Sequence, residues 1–120
     1  MGLDLSLRSP GIVILQKETF HAYFYPNRKR ELQFKNTQTF DFKGKTHTFK
    51  LSALDPIDPK NRNGMKVYDS IQKDILRLAK EHCVTQVRIE GYAFNAHSSS
   101  SSKLFGLGAI IRHGLWQHDL

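Results

Sequence analysis

The most informative stretch for the fold of this chain is residues 2–15, GLDLSLRSPGIVIL. Leucines alternate with polar residues over 2–7, which is the period of a strand with one apolar face. Pro10 and Gly11 then supply turn chemistry. The continuous apolar run at 12–15 is typical of a strand buried on both faces. We therefore predict an antiparallel hairpin, which a third strand over 19–25 extends into a meander.

The rest of the chain predicts an α/β domain. We expect a basic β-hairpin insertion at about 27–54 with a turn at Lys43-Gly44-Lys45, a loop over 55–64, a helix over 65–81, a strand over 84–90 parallel to the first, and a helix over 103–114. Apolar residues recur at helical spacing in both helices, so each predicts one face packed on the sheet. Glycines at 106, 108 and 114 weaken the second helix, which indicates a tight helix contact.

Composition limits the chain to one small domain. It has 120 residues, of which 18 are Lys or Arg and 11 are Asp or Glu, so its net charge is +7. The single cysteine, Cys83, rules out an intramolecular disulfide and fits a reducing compartment. No apolar run approaches the ~20 residues that span a bilayer, and residues 1–15 have no basic region ahead of their apolar residues, so we do not expect secretion. We expect a cytoplasmic protein with no membrane partner.

Positive charge is concentrated in residues 28–50. The basic residues there are Arg28, Lys29, Arg30, Lys35, Lys43, Lys45 and Lys50. Basic patches bind phosphates by releasing condensed counterions, so we expect DNA as the partner, with help from Lys103 and Arg112. The alternative, that these residues only keep a small domain in solution, stays open.

Two carboxylates carry the candidate chemistry. Asp4 lies in the first predicted strand on the face opposite its leucines, and Glu90 ends the strand predicted to be parallel to it. An acidic residue in a central strand is costly unless it is paired or bound to a cation, and hard divalent cations take oxygen ligands. The pair predicts a metal site. The alternative is that Asp4 caps a turn or forms an ion pair with Arg8 or Arg88.

Two motifs resemble one known family. The first motif is Gly2-Leu3-Asp4-Leu5-Ser6, with Gly11-Ile12 in the next strand. The second motif is Val87-Arg88-Ile89-Glu90-Gly91-Tyr92-Ala93-Phe94, and after a short polar stretch it continues with Leu104-Phe105-Gly106-Leu107-Gly108. Together they resemble the RuvC-like Holliday junction resolvases of the RNase H-like superfamily, especially those carried by bacterial viruses. The resemblance covers most of the chain. It implies an RNase H-like mixed sheet, with three antiparallel strands, one parallel strand and packed helices.

The resemblance also implies an activity. Asp4 and Glu90 would be catalytic and would bind Mg²⁺ or Mn²⁺, in a site of two ions about 4 Å apart that hydrolyses a phosphodiester. Phe94, or else Tyr92, would stack on an unpaired base near the junction crossover. The expected enzyme is a homodimeric endonuclease that resolves branched DNA in recombination and repair, in a bacterial or phage-infected cell.

The sequence departs from the family at its C-terminal end. The family has a further Asp-x-x-Asp pair on a final helix, whereas this sequence ends at Trp116-Gln117-His118-Asp119-Leu120. We therefore expect a C-terminally incomplete domain, the N-terminal part of a nuclease. Two alternatives remain open: a natural homologue that lost catalysis, and a protein completed by another chain. A different class of function also remains open, a catalytically incomplete module that only binds nucleic acid or an acidic protein surface.

Overall fold

A computed structural model describes residues 1–6, 10–26, 37–57, 64–90 and 98–120. It contains six strands, β1 (Gly2–Asp4), β2 (Gly11–Gln16), β3 (Thr19–Phe24), β4 (Thr37–Phe42), β5 (Lys45–Ala53) and β6 (Arg88–Ile89), and two helices, α1 (Met65–Glu81) and α2 (Ser98–Gln117). The predicted α/β class is confirmed.

One mixed sheet joins all six strands in the order β4-β5-β3-β2-β1-β6. Strands β1, β2 and β3 form an antiparallel meander, and β6 is parallel to β1, both as predicted. Leu3 occupies the centre of this arrangement, since it pairs with Ile12 on one side and Ile89 on the other. The hairpin β4–β5 extends the sheet by pairing β5 parallel to β3.

The two faces of the sheet differ. The core lies on one face, between the sheet and the helices, and includes Leu3, Leu5, Ile12, Ile14, Tyr25, Leu54, Val67, Tyr68, Ile71, Ile75, Leu78, Leu107, Ile111 and Leu115. We call this side the covered face and the other side the open face. The prediction that residues 12–15 are buried on both faces is wrong, because Val13 and Leu15 point to the open face and are 39% and 56% exposed.

Helix α1 has the predicted bounds and packs along α2. The glycines of α2 allow this close packing within one chain. A Cβ at Gly106 would lie 3.3 Å from the ring of Tyr68, and one at Gly114 would lie 2.5 Å from the side-chain amide of Gln72. That amide donates a hydrogen bond to the Ile110 carbonyl at 2.7 Å. The predicted tight helix contact is confirmed, and its partner is α1.

Other element bounds differ from the predictions. The alternation predicts a first strand over 2–7 and a last strand over 84–90, but β1 and β6 contain only three and two residues. Ladder pairing, which depends on the neighbouring strand, sets these lengths, so alternation alone overestimates them. Helix α2 extends beyond 103–114 at both ends. Neither described helix is long and apolar enough to cross a lipid bilayer.

Candidate metal and nucleic-acid site

The parallel pairing of β1 with β6 brings Asp4 and Glu90 together. The Glu90 amide donates a hydrogen bond to the Leu3 carbonyl at 2.9 Å, so the ladder continues one residue beyond β6. This register places Glu90 beside Asp4, close enough for the Asp4 carboxyl to raise the pKa of Glu90. The two residues that the sequence singled out, 86 positions apart in the chain, therefore form one carboxylate pair at the edge of the sheet.

The electrostatics of the pair are those of two acidic groups placed side by side. The hydrogen bond with Asp4, and then the negative charge of Asp4, raise the pKa of Glu90 above its ordinary value. Two neighbouring carboxylates repel each other when both are ionised, and a cation bound between them relieves that repulsion. The pair is therefore a place where a cation stabilises the ionised form.

Exposure changes the reason for expecting a metal here. Asp4 and Glu90 are both exposed, on the open face. The prediction of a metal site was based on the cost of burying charge in a central strand, and that cost does not apply to exposed residues. The proximity of the two carboxyls is the observation that still supports a metal site. Arg88 is on the same face, but among the described residues neither carboxylate forms an ion pair with it. Arg8 lies outside the described residues.

The pair has the right chemistry for Mg²⁺ or Mn²⁺ but a small number of ligands. Mg²⁺ is commonly held by one or two carboxylates and keeps several waters, and an exposed pair allows this. Within the described ranges, no group of three or more Asp, Glu, His or Cys residues could hold a metal ion. Asp4 and Glu90 therefore fit one hydrated divalent cation, and a two-ion site needs oxygen ligands beyond this pair.

The described part of the basic segment forms the predicted hairpin. Its turn uses Lys43 and Gly44, whose φ angles of 50° and 76° are the two positive values of a tight hairpin turn. The Lys43 ammonium lies 5.4 Å from the centre of the Phe42 ring. Lys45 begins β5 and is exposed. Both lysines can meet a phosphate in solvent.

The remaining predicted DNA-binding residues are either elsewhere or not described. Arg112 is exposed on α2, on the helical side of the sheet, whereas Asp4 and Glu90 are on the open face. The others, Arg28, Lys29, Arg30, Lys35, Phe94 and the side chain of Lys103, lie outside the described residues.

Sequence reasoning missed an aromatic cluster on the open face. His47 on β5 lies among three phenylalanines: its ring centre is 5.3 Å from Phe40, 5.8 Å from Phe20 and 6.2 Å from Phe42. Phe20 and Phe40 are also 5.8 Å apart. Alternating aromatic residues are visible in the sequence, but the parallel pairing of β5 with β3 brings Phe20 beside the hairpin. We call these four residues the aromatic cluster.

A second missed group lies on the covered face, where α1 ends. The rings of His21 and His82 are 4.5 Å apart, and the Tyr23 hydroxyl is 2.7 Å from His82 Nε2. The other ring nitrogen of His82 lies 3.2 Å from the Gln16 side-chain oxygen. Burial, then the charges of His82 and Lys50, lower the pKa of His21. These contacts tie β2 and β3 to the end of α1, so we assign them a structural role.

Comparisons with protein-family models, with curated proteins and with solved structures find no match for this chain.

Proposed function

We propose that this protein is a metal-dependent endodeoxyribonuclease of the RNase H-like type that acts on branched DNA. The observation that supports the proposal is that the parallel pairing of β1 with β6 places Asp4 and Glu90 side by side. Nucleases that use divalent metal ions hold them with clustered carboxylates, because hard cations prefer oxygen ligands. The strand order at this side of the sheet, β3-β2-β1-β6 with β6 parallel to β1, supports the RNase H-like assignment.

Asp4 and Glu90 would hold the cation with their carboxylate oxygens. A bound Mg²⁺ lowers the pKa of water and stabilises negative charge on the departing 3′ oxygen of the phosphodiester. The exposed position of the pair leaves room for a DNA backbone to approach from solvent. Lys43 and Lys45, on the same sheet, would attract that backbone, because lysines bind phosphates as point charges.

A second candidate function is a module that binds nucleic acid without cutting it. The observation in its favour is that, in the part of the chain that the structure describes, no third metal-ligating side chain joins Asp4 and Glu90. The net charge of +7 supports binding to a polyanion in either case.

The proposal includes a homodimer, since resolving a junction requires two symmetric cuts. Gly106 and Gly114 pack against α1, so these two glycines do not support a contact between copies. Phe105 and Trp116 remain exposed on α2 and are the candidate contacts with a second copy. Sedimentation of the wild-type chain and of Trp116→Ala at several concentrations tests this, and monomers throughout would remove the dimer from the proposal.

Cleavage of a synthetic four-way junction tests the nuclease. We expect products with Mg²⁺ or Mn²⁺ and none with a chelator, and we expect Asp4→Asn and Glu90→Gln each to reduce the rate by at least about 100-fold, as removal of a key catalytic group does. The matched control is Asp69→Asn, which alters an exposed acid paired with Lys73 on α1. It should cleave at the wild-type rate.

Metal binding separates the two candidates. Mn²⁺ should raise the melting temperature of the wild-type protein and not that of Asp4→Asn, because a ligand that binds only the folded state stabilises it. Junction binding with neither cleavage nor a melting shift would favour the binding module. Equal cleavage by wild type and both carboxylate variants would contradict the nuclease site.

A further inference from the structure

The open face carries aromatic rings where a domain of this size normally buries them. Phe40 and Phe42 are 41% and 57% exposed, and the described residues place no helix over them. The rings of the aromatic cluster adjoin one another, and Phe40 and His47 are stacked with planes 22° apart. Exposed aromatic patches of this kind mark interaction sites, since leaving them in water forgoes stabilisation.

A depression continues the aromatic cluster toward the carboxylates. It has a volume of about 230 Å³, and it is lined by Met1, Gly2, Val13, Leu15, Phe20, Gln86 and Arg88. Its floor is apolar, and Arg88 and Gln86 supply polar groups at its side. Phe20 belongs both to the depression and to the aromatic cluster, while Gly2 and Arg88 lie on the two strands that carry the acidic pair. The open face is therefore one continuous surface.

The charges of this surface indicate the partner. Lys43 and Lys45 lie beside the rings, and Arg88 lies beside the depression. Among the described residues of the open face, only Asp4 and Glu90 are acidic, and they lie at its far edge. Rings between cations suit an unpaired nucleic-acid strand, because bases stack on the rings and phosphates meet the cations.

We propose that the open face binds single-stranded DNA and leads it to the carboxylate pair. The aromatic cluster stacks on bases, the depression beside Phe20 receives one further base, and Lys43, Lys45 and Arg88 contact the backbone. From β5 to β1 is three strand spacings, or ~14 Å, and the register places Asp4 six residues, or ~20 Å, along the strands from His47. The path between them is therefore ~25 Å and takes several nucleotides. The identification of DNA rests on the nuclease function proposed above, whereas the binding of a single strand does not need the carboxylates.

Binding is measured with a labelled oligothymidylate of about twelve nucleotides, within the usual range of single-strand sites. The buffer contains a chelator, so metal and cleavage play no part. The variant Phe40→Leu/Phe42→Leu keeps apolar side chains and removes two rings. We expect it to weaken binding by about tenfold or more, because stacking contributes ~1–3 kcal/mol per base and each 1.4 kcal/mol is tenfold.

Two matched variants control for folding and for general loss of apolar surface. Met65→Ala removes an apolar side chain that is 67% exposed on α1, away from the open face, and should bind within about twofold of wild type. Phe40→Tyr/Phe42→Tyr keeps both rings and should also bind nearly as wild type. Lys43→Gln/Lys45→Gln should make log K depend less steeply on log salt concentration, by ~0.7 for each phosphate that the lysines no longer neutralise.

Specific outcomes would overturn the proposal. One is equal binding by wild type and the double leucine variant. Another is tighter binding of an oligouridylate than of the oligothymidylate, which would identify RNA as the ligand. A third is a wild-type dimer that the double leucine variant abolishes, which would show that a second copy covers the face. Oligonucleotide binding is measured with a chelator and junction cleavage with metal, so failure of the nuclease and failure of this surface give different results.

Discussion

The covered and open faces of the sheet are made by alternate residues of the same strands, yet they differ in what they do. Ile12 and Ile14 on β2 are each 1% exposed, whereas their neighbours Val13 and Leu15 face solvent. The covered face is closed by α1 and α2 and carries the core. The open face carries the acidic pair, the aromatic cluster and the basic turn. In one strand, therefore, the residues of one face stabilise the core and the residues of the other face are free to bind a partner.

The largest expected effect compares two adjacent residues of β2. Ile14→Ala removes a fully buried side chain and should lower the free energy of unfolding by ~2–5 kcal/mol, because it leaves a cavity in the core. Leu15→Ala removes a similar side chain from the open face and should cost less than ~1 kcal/mol, as surface changes do. Urea unfolding measures both. Equal losses would mean that something covers the open face.

A polar contact also holds the covered face together. The Tyr25 hydroxyl donates a 2.8 Å hydrogen bond to Asp74 on α1, and burial together with that carboxylate raises the pKa of Tyr25. Tyr25→Phe should lower stability by ~1.5–3 kcal/mol, the usual contribution of a hydrogen bond to a charged group. Thermal and urea unfolding should agree on the loss. The control, Tyr25→Phe with Asp74→Asn, should lose little beyond what Asp74→Asn loses alone.

The packing of α1 on α2 can be tested with a double-mutant cycle. Ala at Gly114 gains ~1 kcal/mol of helix propensity, but its methyl group displaces the Gln72 amide from its bond to the Ile110 carbonyl. We expect Gly114→Ala to be neutral or destabilising in wild type and stabilising by ~1 kcal/mol in Gln72→Ala. An interaction energy near zero would show that the two helices do not meet at this point.

The smallest effect is a pH dependence on the covered face. The folded pKa of His21 lies below its ordinary value of 6.5, so the unfolded chain takes up this proton more readily. The stability that depends on neutral His21 is present above pH 6.5 and is lost as the pH falls toward the folded pKa. The groups around it are His82, Lys50, Tyr23 and Gln16.

His21→Asn should therefore flatten the decrease in unfolding free energy between neutral and mildly acidic pH. The measurement is a series of urea unfolding curves across that range, with His113→Asn on α2 as the control. An unchanged profile in His21→Asn would assign the pH dependence to other groups.

Local patterns predicted much of the fold. The bounds of α1 follow from apolar residues at helical spacing, and the basic hairpin turn follows from Lys43-Gly44. The parallel pairing of β6 with β1 follows from the helix between them, since parallel strands need a crossover connection. That pairing is also why the contact between Asp4 and Glu90 could be anticipated.

Other features depend on contacts between distant segments. The apolar run at 12–15 specifies a strand, but only the position of both helices on one face leaves Val13 and Leu15 exposed. The aromatic cluster requires β3 to pair with β5, and no local sequence pattern predicts that pairing.

The local sequence was therefore enough to predict the helices and strands, the alternation within each strand, the excess of positive charge and the two candidate metal-binding residues, Asp4 and Glu90. The tertiary structure decided which side of the sheet the helices cover, and with it which half of each alternating strand stays in solvent. The physical reason is that side-chain period is a property of the local backbone, whereas burial depends on what packs against a face. In this protein that choice left the acidic pair and the aromatic cluster on the same open surface.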